Sequence, residues 1–319
     1  MDKLVLVNGP PADAPAAASY MTDQSNPTTR VLEIITLLAA HPAEEFSLAE
    51  VARQLGLSRG SAHRLLTTMA DADFLARNEK KKTYSLGMAL IAVGQAALEK
   101  YRGLELARRE MARLTLELNV QCSATALISG DLLILAKQGL PQSHADLNRV
   151  GERRPIVPPM GICYIAWSTG EAVENYLSMA AAHMSDGAYS WLVESLKLIR
   201  SRGYATCADG PHWRALSRAT VRPIGRPLDT AYWAAIFNVI RQLTPKEIQL
   251  VGFDEIDANG VAQVAMPIFS ADGCVSLQLV LSGFPRNTTP RKMDRYVEKL
   301  SAAAIAITSE LNGRMPQIP

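Results

Sequence analysis

Between Leu57 and Lys82 the chain gathers six Lys and Arg side chains against three Asp and Glu, a local net charge of +3. Lys80, Lys81 and Lys82 are adjacent, while Arg59 and Arg64 stand further up among the small hydroxyl residues Ser58, Ser61 and Thr67. Cationic side chains neutralise phosphate, and an arginine held on a rigid element can grip guanine through two hydrogen bonds. Ser and Thr reach phosphate or base edges, and Gly60 leaves room for a close backbone approach. His63 has two readings, one facing bases and one packing its helix against a neighbouring hairpin. The chemistry is recognition of duplex nucleic acid, provided the fold puts these groups on one face.

The surrounding pattern supplies such a fold. From Thr28 a helix carries Val31, Ile34, Ile35 and Leu38 on one face and ends at His41-Pro42. Phe46-Ser47 opens a second helix, with Ser47 and Glu50 spaced as a capping box and Gly56 as its stop. Ser58 caps a third helix with the inner stripe Ala62, Leu65, Leu66 and Met69. Ala52 and Gly56 are the small residues that a tight helix-turn-helix crossing needs, and Val51, Leu55 and Leu57 close the wedge. The outer face of the third helix then presents Gly60, His63, Arg64, Thr67 and Asp71. An ordinary three-helix bundle would show the same periodicity. The two are separated by the next element, a hairpin of 74–77 and 83–86 around the lysine-rich 78–82, which reads as a basic wing. The helix from Met88 to about Tyr101 is rich in alanine, and Gly103 is expected to interrupt it before a further amphipathic helix.

Beyond Gly103 the texture changes. Strands are expected at 122–128 and 132–137, at 204–207, and at 261–269 and 274–282, with helices at 191–202 and 289–311. The fold class is α+β: an N-terminal winged helix-turn-helix, all helical but for its wing, then an antiparallel sheet with flanking helices. The division expected is a disordered lead-in 1–27, a DNA-binding domain 28–87, a linker helix 88–103, and a second domain 104–319 with an insertion at about 209–252.

Composition agrees with a globular protein, at 48 % apolar and 20 % charged residues over 319 positions. A formal charge of +2 announces no polyanion partner in bulk, so any such contact is local. Cys122, Cys163, Cys207 and Cys274 include no Cys-x-x-Cys pair, which points to reduced thiols rather than a zinc site or disulfide framework. His41, His63, His144, His183 and His212 are too dispersed for a metal site, and neither a metal nor another cofactor is expected. Asp254, Glu255 and Asp257 could serve acid–base chemistry or a cation, or simply line a solvated loop. Phosphate-binding glycine loops, nucleophile elbows and zinc-protease signatures are absent, so no catalytic residue is assigned. No apolar run approaches the roughly 20 residues of a membrane helix, and the apolar start before Asn8-Gly9 is too short for a signal peptide. A cytoplasmic location is expected, and Met21 offers an alternative start. The rival reading is a ligand-binding protein or enzyme whose helical domain does not bind DNA.

The run Thr29-Arg30-Val31-Leu32, the helix pair, the segment Ser61 to Met69, and Tyr84-Ser85-Leu86-Gly87 resemble the IclR family of bacterial transcription regulators. The likeness continues through Ile199 to Tyr204 and from about Gly260 through Leu281-Ser282-Gly283 to the last helix. It covers roughly 28–207 and 260–311. The resemblance implies a GAF-like domain that binds a small organic effector, in a homodimer or homotetramer that recognises a pseudo-palindromic operator. It places the effector between the loop at 158–164 and the strands at 261–269 and 274–282. Met160, Gly161, Ile162, Cys163, Tyr164 and Met266 would then form a fairly apolar lining, with Gln263 and Ser276 as polar groups. Two departures stand out. The loop is bulkier than the family's and lacks its lysine, and about forty extra residues separate Asp209 from Asp254. In that insertion Arg214, Arg218, Arg222 and Arg226 recur every four residues, but Pro223 and Pro227 forbid one continuous helix. An apolar helix, 231–243, and a capped start at Thr244-Pro245-Lys246-Glu247 come next. The insertion is expected to be ordered and to dock its aromatic helix on the second domain, there to lid the pocket or widen a subunit contact; a plain surface elaboration is the alternative.

Overall fold

The computed structural model describes residues 26–139, 149–224, 228–256 and 258–316. The lead-in up to Ser25, His144, Arg226, Pro227 and Asp257 lie outside them. The chain divides into two compact units, one running to Arg102 together with Arg222–Asp229, the other taking over from Gly103.

In the first unit α1 (Pro27–Ala39) starts one residue earlier than its apolar pattern suggests, because the Asn26 side chain accepts from the Thr28 N–H at 2.9 Å and Pro27 suits the first helical turn. Phe46 and Ser47 lead into the second helix, with Ser47 as its N-cap, and they do a second thing that the pattern did not show. They form a two-residue strand, β1 (Phe46–Ser47), paired antiparallel with Tyr84 and Thr83. The reason is local: an N-cap residue needs extended backbone, and Phe46 gains burial by lying along the hairpin. Then come α2 (Leu48–Leu55), with the Ser47/Glu50 capping box formed and Gly56 left-handed at φ 63°, and α3 (Arg59–Asp71), capped by Ser58. Ile34, Leu37, Leu38, Val51, Leu55, Leu66 and Met69 share one core with Phe46, Leu75 and Tyr84. The guanidinium of Arg30 spans it, bonding to Glu33 at 2.9 Å and to the Leu55 carbonyl at the C-terminus of α2 at 3.1 Å. The wing is β2 (Leu75–Asn78) and β3 (Thr83–Leu86), and with β1 it makes a three-stranded sheet in the order β1-β3-β2. The next helix is α4 (Ala89–Lys100), none of whose residues is buried.

The second unit opens with α5 (Arg102–Leu118). The helical chain breaks at Tyr101, not Gly103: Tyr101 has left helical geometry, while Gly103 lies inside α5, where a β-carbon would come within 3.0 Å of the Leu311 side chain. The rest runs β4 (Gln121–Ile128), β5 (Asp131–Gln138), β6 (Arg153–Pro155), α6 (Ile162–Ala166), α7 (Glu171–His183), α8 (Asp186–Arg202), β7 (Ala205–Ala208), α9 (Pro211–Ala219), α10 (Thr230–Ile240), α11 (Pro245–Ile248), β8 (Val261–Phe269), β9 (Val275–Ser282) and α12 (Pro290–Glu310). Its six strands form one antiparallel sheet in the order β6-β5-β4-β9-β8-β7. Side chains of α6 to α11 form a continuous core with Ala205, Cys207, Ala265, Phe269 and Val280 on one face. Against β8 and β9 on the other lies α12, with α5 beside it through a 2.8 Å Lys299–Glu117 ion pair.

Gly87 is the first unit's tightest constraint. Its N–H donates to the Phe74 carbonyl at 2.8 Å, and a β-carbon there would lie 2.1 Å from the Asp73 carbonyl oxygen. Backbone cannot yield that distance cheaply. Gly87→Ala is expected to destabilise this unit by more than about 2 kcal/mol, read as a lowered urea midpoint; an unchanged midpoint would contradict the close crossing.

Candidate functional site

The outer surface of α3 is built by its cap. Ser58 Oγ accepts from the Ser61 N–H at 3.1 Å and its own proton goes to Ser61 Oγ at 3.0 Å, so the first turn is fixed while Arg59 and Gly60 stand in solvent. Arg59, Gly60, His63 and Arg64 are all exposed, and Ser61 and Thr67 are half-buried along the same edge. Among the described residues Arg59 and Arg64 carry no ion pair. His63 makes no hydrogen bond there either. A β-carbon on Gly60 would meet nothing within 4 Å.

The wing is more constrained than three lysines on a loop. Asn78 Oδ1 accepts from the N–H groups of Lys80 and Lys81, each at 3.2 Å, and Lys82 adopts φ 56°. Glu45, which the sequence pattern did not single out, pins this turn. It accepts from Thr83 Oγ1 at 2.7 Å, receives the Asn78 amide at 3.3 Å, and pairs with Lys81 at 3.5 Å. The Thr83 and Asn78 hydrogen bonds hold its carboxyl below the ordinary range. Lys82 pairs with Glu79 at 3.2 Å, so Lys80 alone of the three has no acidic partner among the described residues.

The second unit contains a cavity beneath α6. Gly161, Ile162, Cys163 and Gln263 line it, as expected, together with Pro159, Ala205, Thr206, Cys207, Ala265 and Gln278. The other expected residues go elsewhere. Met160 is buried in the core without lining the space, and Tyr164 turns its hydroxyl to the Thr125 carbonyl at 2.7 Å, where burial pushes the phenol far up. Met266 points to the opposite face of the sheet from Gln263 and Ala265, by the alternation of a strand. Ser276 Oγ donates to the Ile268 carbonyl at 3.1 Å. Cys163 and Cys207 are neutral thiols, since burial raises the first to about 12 and holds the second well above the usual thiol range.

The insertion closes this cavity. Trp213 of α9, with Ile248 and Gln249, completes the lining. Glu247 positions them. Its carboxylate makes the capping box with Thr244 at the start of α11 and also accepts the N–H of His212 at 2.8 Å and of Trp213 at 3.1 Å, capping α9. Gly210 must lack a side chain here, because a β-carbon would sit 2.1 Å from Glu247 Oε1. At the other end of α9 the Arg154 guanidinium reaches the Ser217 carbonyl and the Thr220 hydroxyl, and Tyr232 donates to the Thr220 carbonyl at 3.0 Å. Gln249 Oε1 accepts from the Thr206 N–H at 3.3 Å and the Leu250 N–H bonds to the Thr206 carbonyl at 2.9 Å, covering the free edge of β7. The capping box was visible in the sequence. That its acid also serves a helix thirty residues upstream was not.

Comparison with known proteins agrees with this geometry. Residues 27–79 match the model of the IclR helix-turn-helix domain. The transcriptional regulator KdgR of Escherichia coli is 25% identical over 92% of this chain and 97% of its own length. KdgR of Dickeya chrysanthemi is also 25% identical, over 59% of this chain and 64% of its own. Among solved structures, an IclR regulator from Alicyclobacillus acidocaldarius superposes with a TM-score of 0.62 at 18% identity, covering 90% of this chain and 98% of that one. An IclR homologue from Microbacterium hydrocarbonoxydans, complexed with 4-hydroxybenzoate, gives 0.61 at 19% identity over 90% and 99%.

Two outcomes test the geometry. Gly60→Ala should leave the fold as stable or slightly firmer, by up to about 1 kcal/mol, yet weaken specific duplex binding by tenfold or more if backbone meets DNA there; urea melts and a binding titration read the two separately. For Glu247, burial alone would raise the carboxyl, but the hydrogen bonds from Thr244, Trp213 and His212 outweigh it and hold it below its ordinary 4.5. A depressed folded pKa means the stabilisation is complete above the unfolded value and fades as pH falls through the folded one. The stability gap between the protein and Glu247→Gln should therefore be constant near neutrality and shrink in acid below pH 4.5, measured by urea midpoints across pH.

Proposed function

The chain is a transcription regulator of the IclR family, and from that premise we propose that α3 enters the major groove of a pseudo-palindromic operator while the cavity of the second unit takes a small organic effector. The observation that carries the first half is the exposed stripe of Arg59, Gly60, His63 and Arg64, with both arginines unpaired among the described residues. Ser58, Ser61 and Thr67 flank it as phosphate or base contacts, and Lys80, Lys81 and Lys82 stand as the phosphate-facing wing. The second half rests on the lining of Gly161, Ile162, Cys163 and Gln263 and on the 4-hydroxybenzoate seen in the Microbacterium homologue. The boundaries 28–87, 88–103 and 104–319, with an insertion at 209–252, are the working division.

The active species is a homodimer or a pair of dimers. In α4 no residue is buried, yet Ile91 and Val93 on it and Met88 just before it are apolar and exposed, at 68%, 54% and 80%. Leu32 on α1 is exposed as well. Apolar helix surface of this extent needs a partner, and a second copy also supplies the second half-site. No helix among the described residues is long and apolar enough to cross a membrane, and the work of such a regulator lies with the DNA in the cytoplasm.

Selection of genomic fragments on the purified protein, followed by titration, tests the reading. Arg64→Ala should cost about 1–3 kcal/mol on the selected operator and little on random duplex. Replacing Lys80, Lys81 and Lys82 together should weaken binding to every sequence and flatten its salt dependence. Failure to retain any duplex above random DNA at about 0.1 M salt would remove the proposal. Ile91→Glu should shift sedimentation towards the monomer and lower operator affinity with it; a dimer undisturbed by that change would move the contact off α4.

A further inference from the structure

The cavity is walled by the insertion and has almost no room left. Its free space is about 20 Å³, enough for about one water molecule, whereas sites for small organic ligands run to roughly 300–1,000 Å³. Three of the walls, Trp213, Ile248 and Gln249, come from the insertion, and Trp213 is only 6% exposed among them. No lining residue carries a charge: the polar groups are Thr206, Gln249, Gln263 and Gln278, and the two thiols are neutral. Thr206 spends its hydroxyl on the Gln263 carbonyl at 2.8 Å, and Gln249 is bonded to Thr206 and to Leu250. Gln278 is different. Its side chain is buried at 6% exposure, lines the cavity, and its Oε1 has no hydrogen-bond partner.

We propose that α9 is a tethered occupant of this cavity, that Trp213 holds the place of a ring, and that the compound displacing it is an uncharged ring compound with an N–H or O–H for Gln278 Oε1. The proposal rests on reading the cavity as the effector site. A buried carbonyl oxygen without a donor costs free energy that a ligand N–H recovers, so the lining favours a donor. A carboxylate entering the same space would lose its hydration with no cation there to meet it. The attachments of α9 fit a segment that can leave. Its two ends are held by side chains outside the cavity, Glu247 at one and Arg154 at the other, and Leu216 anchors its middle in the core shared with α10, so release costs that packing but leaves the sheet's strand pairing intact.

The test uses the full chain, Trp213→Ala, and two probes sharing one ring, indole and indole-3-carboxylate, in thermal unfolding. Indole is expected to raise the melting temperature of Trp213→Ala by about 3 °C or more, with little effect on the unmodified protein, and the carboxylate is expected to move neither. Should Trp213→Ala not fold, Trp213→Leu carries the same comparison. Equal stabilisation of the unmodified protein by indole would show that Trp213 does not guard the space. A folded variant blind to indole would show that the side chain fills nothing a ligand can use. A carboxylate response matching or exceeding that of indole would overturn the neutral selectivity. Operator titration of the indole-bound variant separates the two readings. A changed affinity supports both, and an unchanged one leaves the tethered occupant standing while removing the effector role of the cavity.

Discussion

The carboxylate of Glu247 decides the shape of the cavity-bearing face of the second unit. It is nearly inaccessible to solvent, yet its carboxyl is held below the ordinary range, because the N–H groups of His212, Trp213 and Thr244, the Thr244 hydroxyl and the His212 ring converge on it. One oxygen accepts the first N–H groups of α9, the other closes the capping box of α11. A neutral side chain of the same shape could not satisfy both, since an amide offers one acceptor and turns a donor towards N–H groups. With Arg154 at the far end, α9 carries a negative group at its positive pole and a positive group at its negative pole. Trp213 is the second residue behind the Pro211 start, so the cap sets where the indole goes. Gly210 is the necessary counterpart, for any larger residue would evict the carboxylate.

The first unit uses charge with the same economy and to a different end. Glu45 places a negative group beside the wing, which by itself opposes phosphate. What it contributes is order: Asn78, Lys81 and Thr83 are all fixed to it, so the wing is a defined surface, as the proposed phosphate contact requires. Arg30 does the equivalent inside, closing the C-terminus of α2 through the Leu55 carbonyl. A net charge of +2 over the whole chain supplies little long-range attraction for a polyanion. In the proposed reading discrimination falls to α3, whose first turn is fixed by the Ser58 cap.

The first unit was almost entirely legible in its sequence because its rules are local. Ser47 with Glu50, Gly56 and Ser58 each report a helix end within four residues, and the structure has all of them. The strand at Phe46 escaped because pairing with Tyr84 is a contact across nearly forty residues. In the second unit the two long hairpins and the Thr244 cap were plain for the same local reasons. The short strand β6, helix α6 and the three-way wall of the cavity were not, since β6 has three residues and α6 five, too few to show a period. Met266 shows the limit most clearly. Its hydrophobic neighbours on β8 are buried on both faces, so alternation carries no sign of which face holds the cavity.

A pocket that carries its own occupant changes what an effector's affinity measures. The compound competes with a group at very high effective concentration, because Trp213 is joined to the sheet by a few residues of chain and two anchored helix ends. Only the fraction of molecules with α9 released can bind, and the apparent dissociation constant rises by the inverse of that fraction. A closure worth about 3 kcal/mol would weaken an intrinsically tight ligand by roughly a hundredfold. In return, binding becomes a discrete event. Either α9 is docked with Glu247 and Arg154 satisfied, or it is displaced with both sets of partners exposed to water. An open pocket would fill gradually with little change in the surrounding structure. A plugged one converts occupancy into the movement of a helix, which is the kind of two-state element a ligand must bias in order to regulate anything.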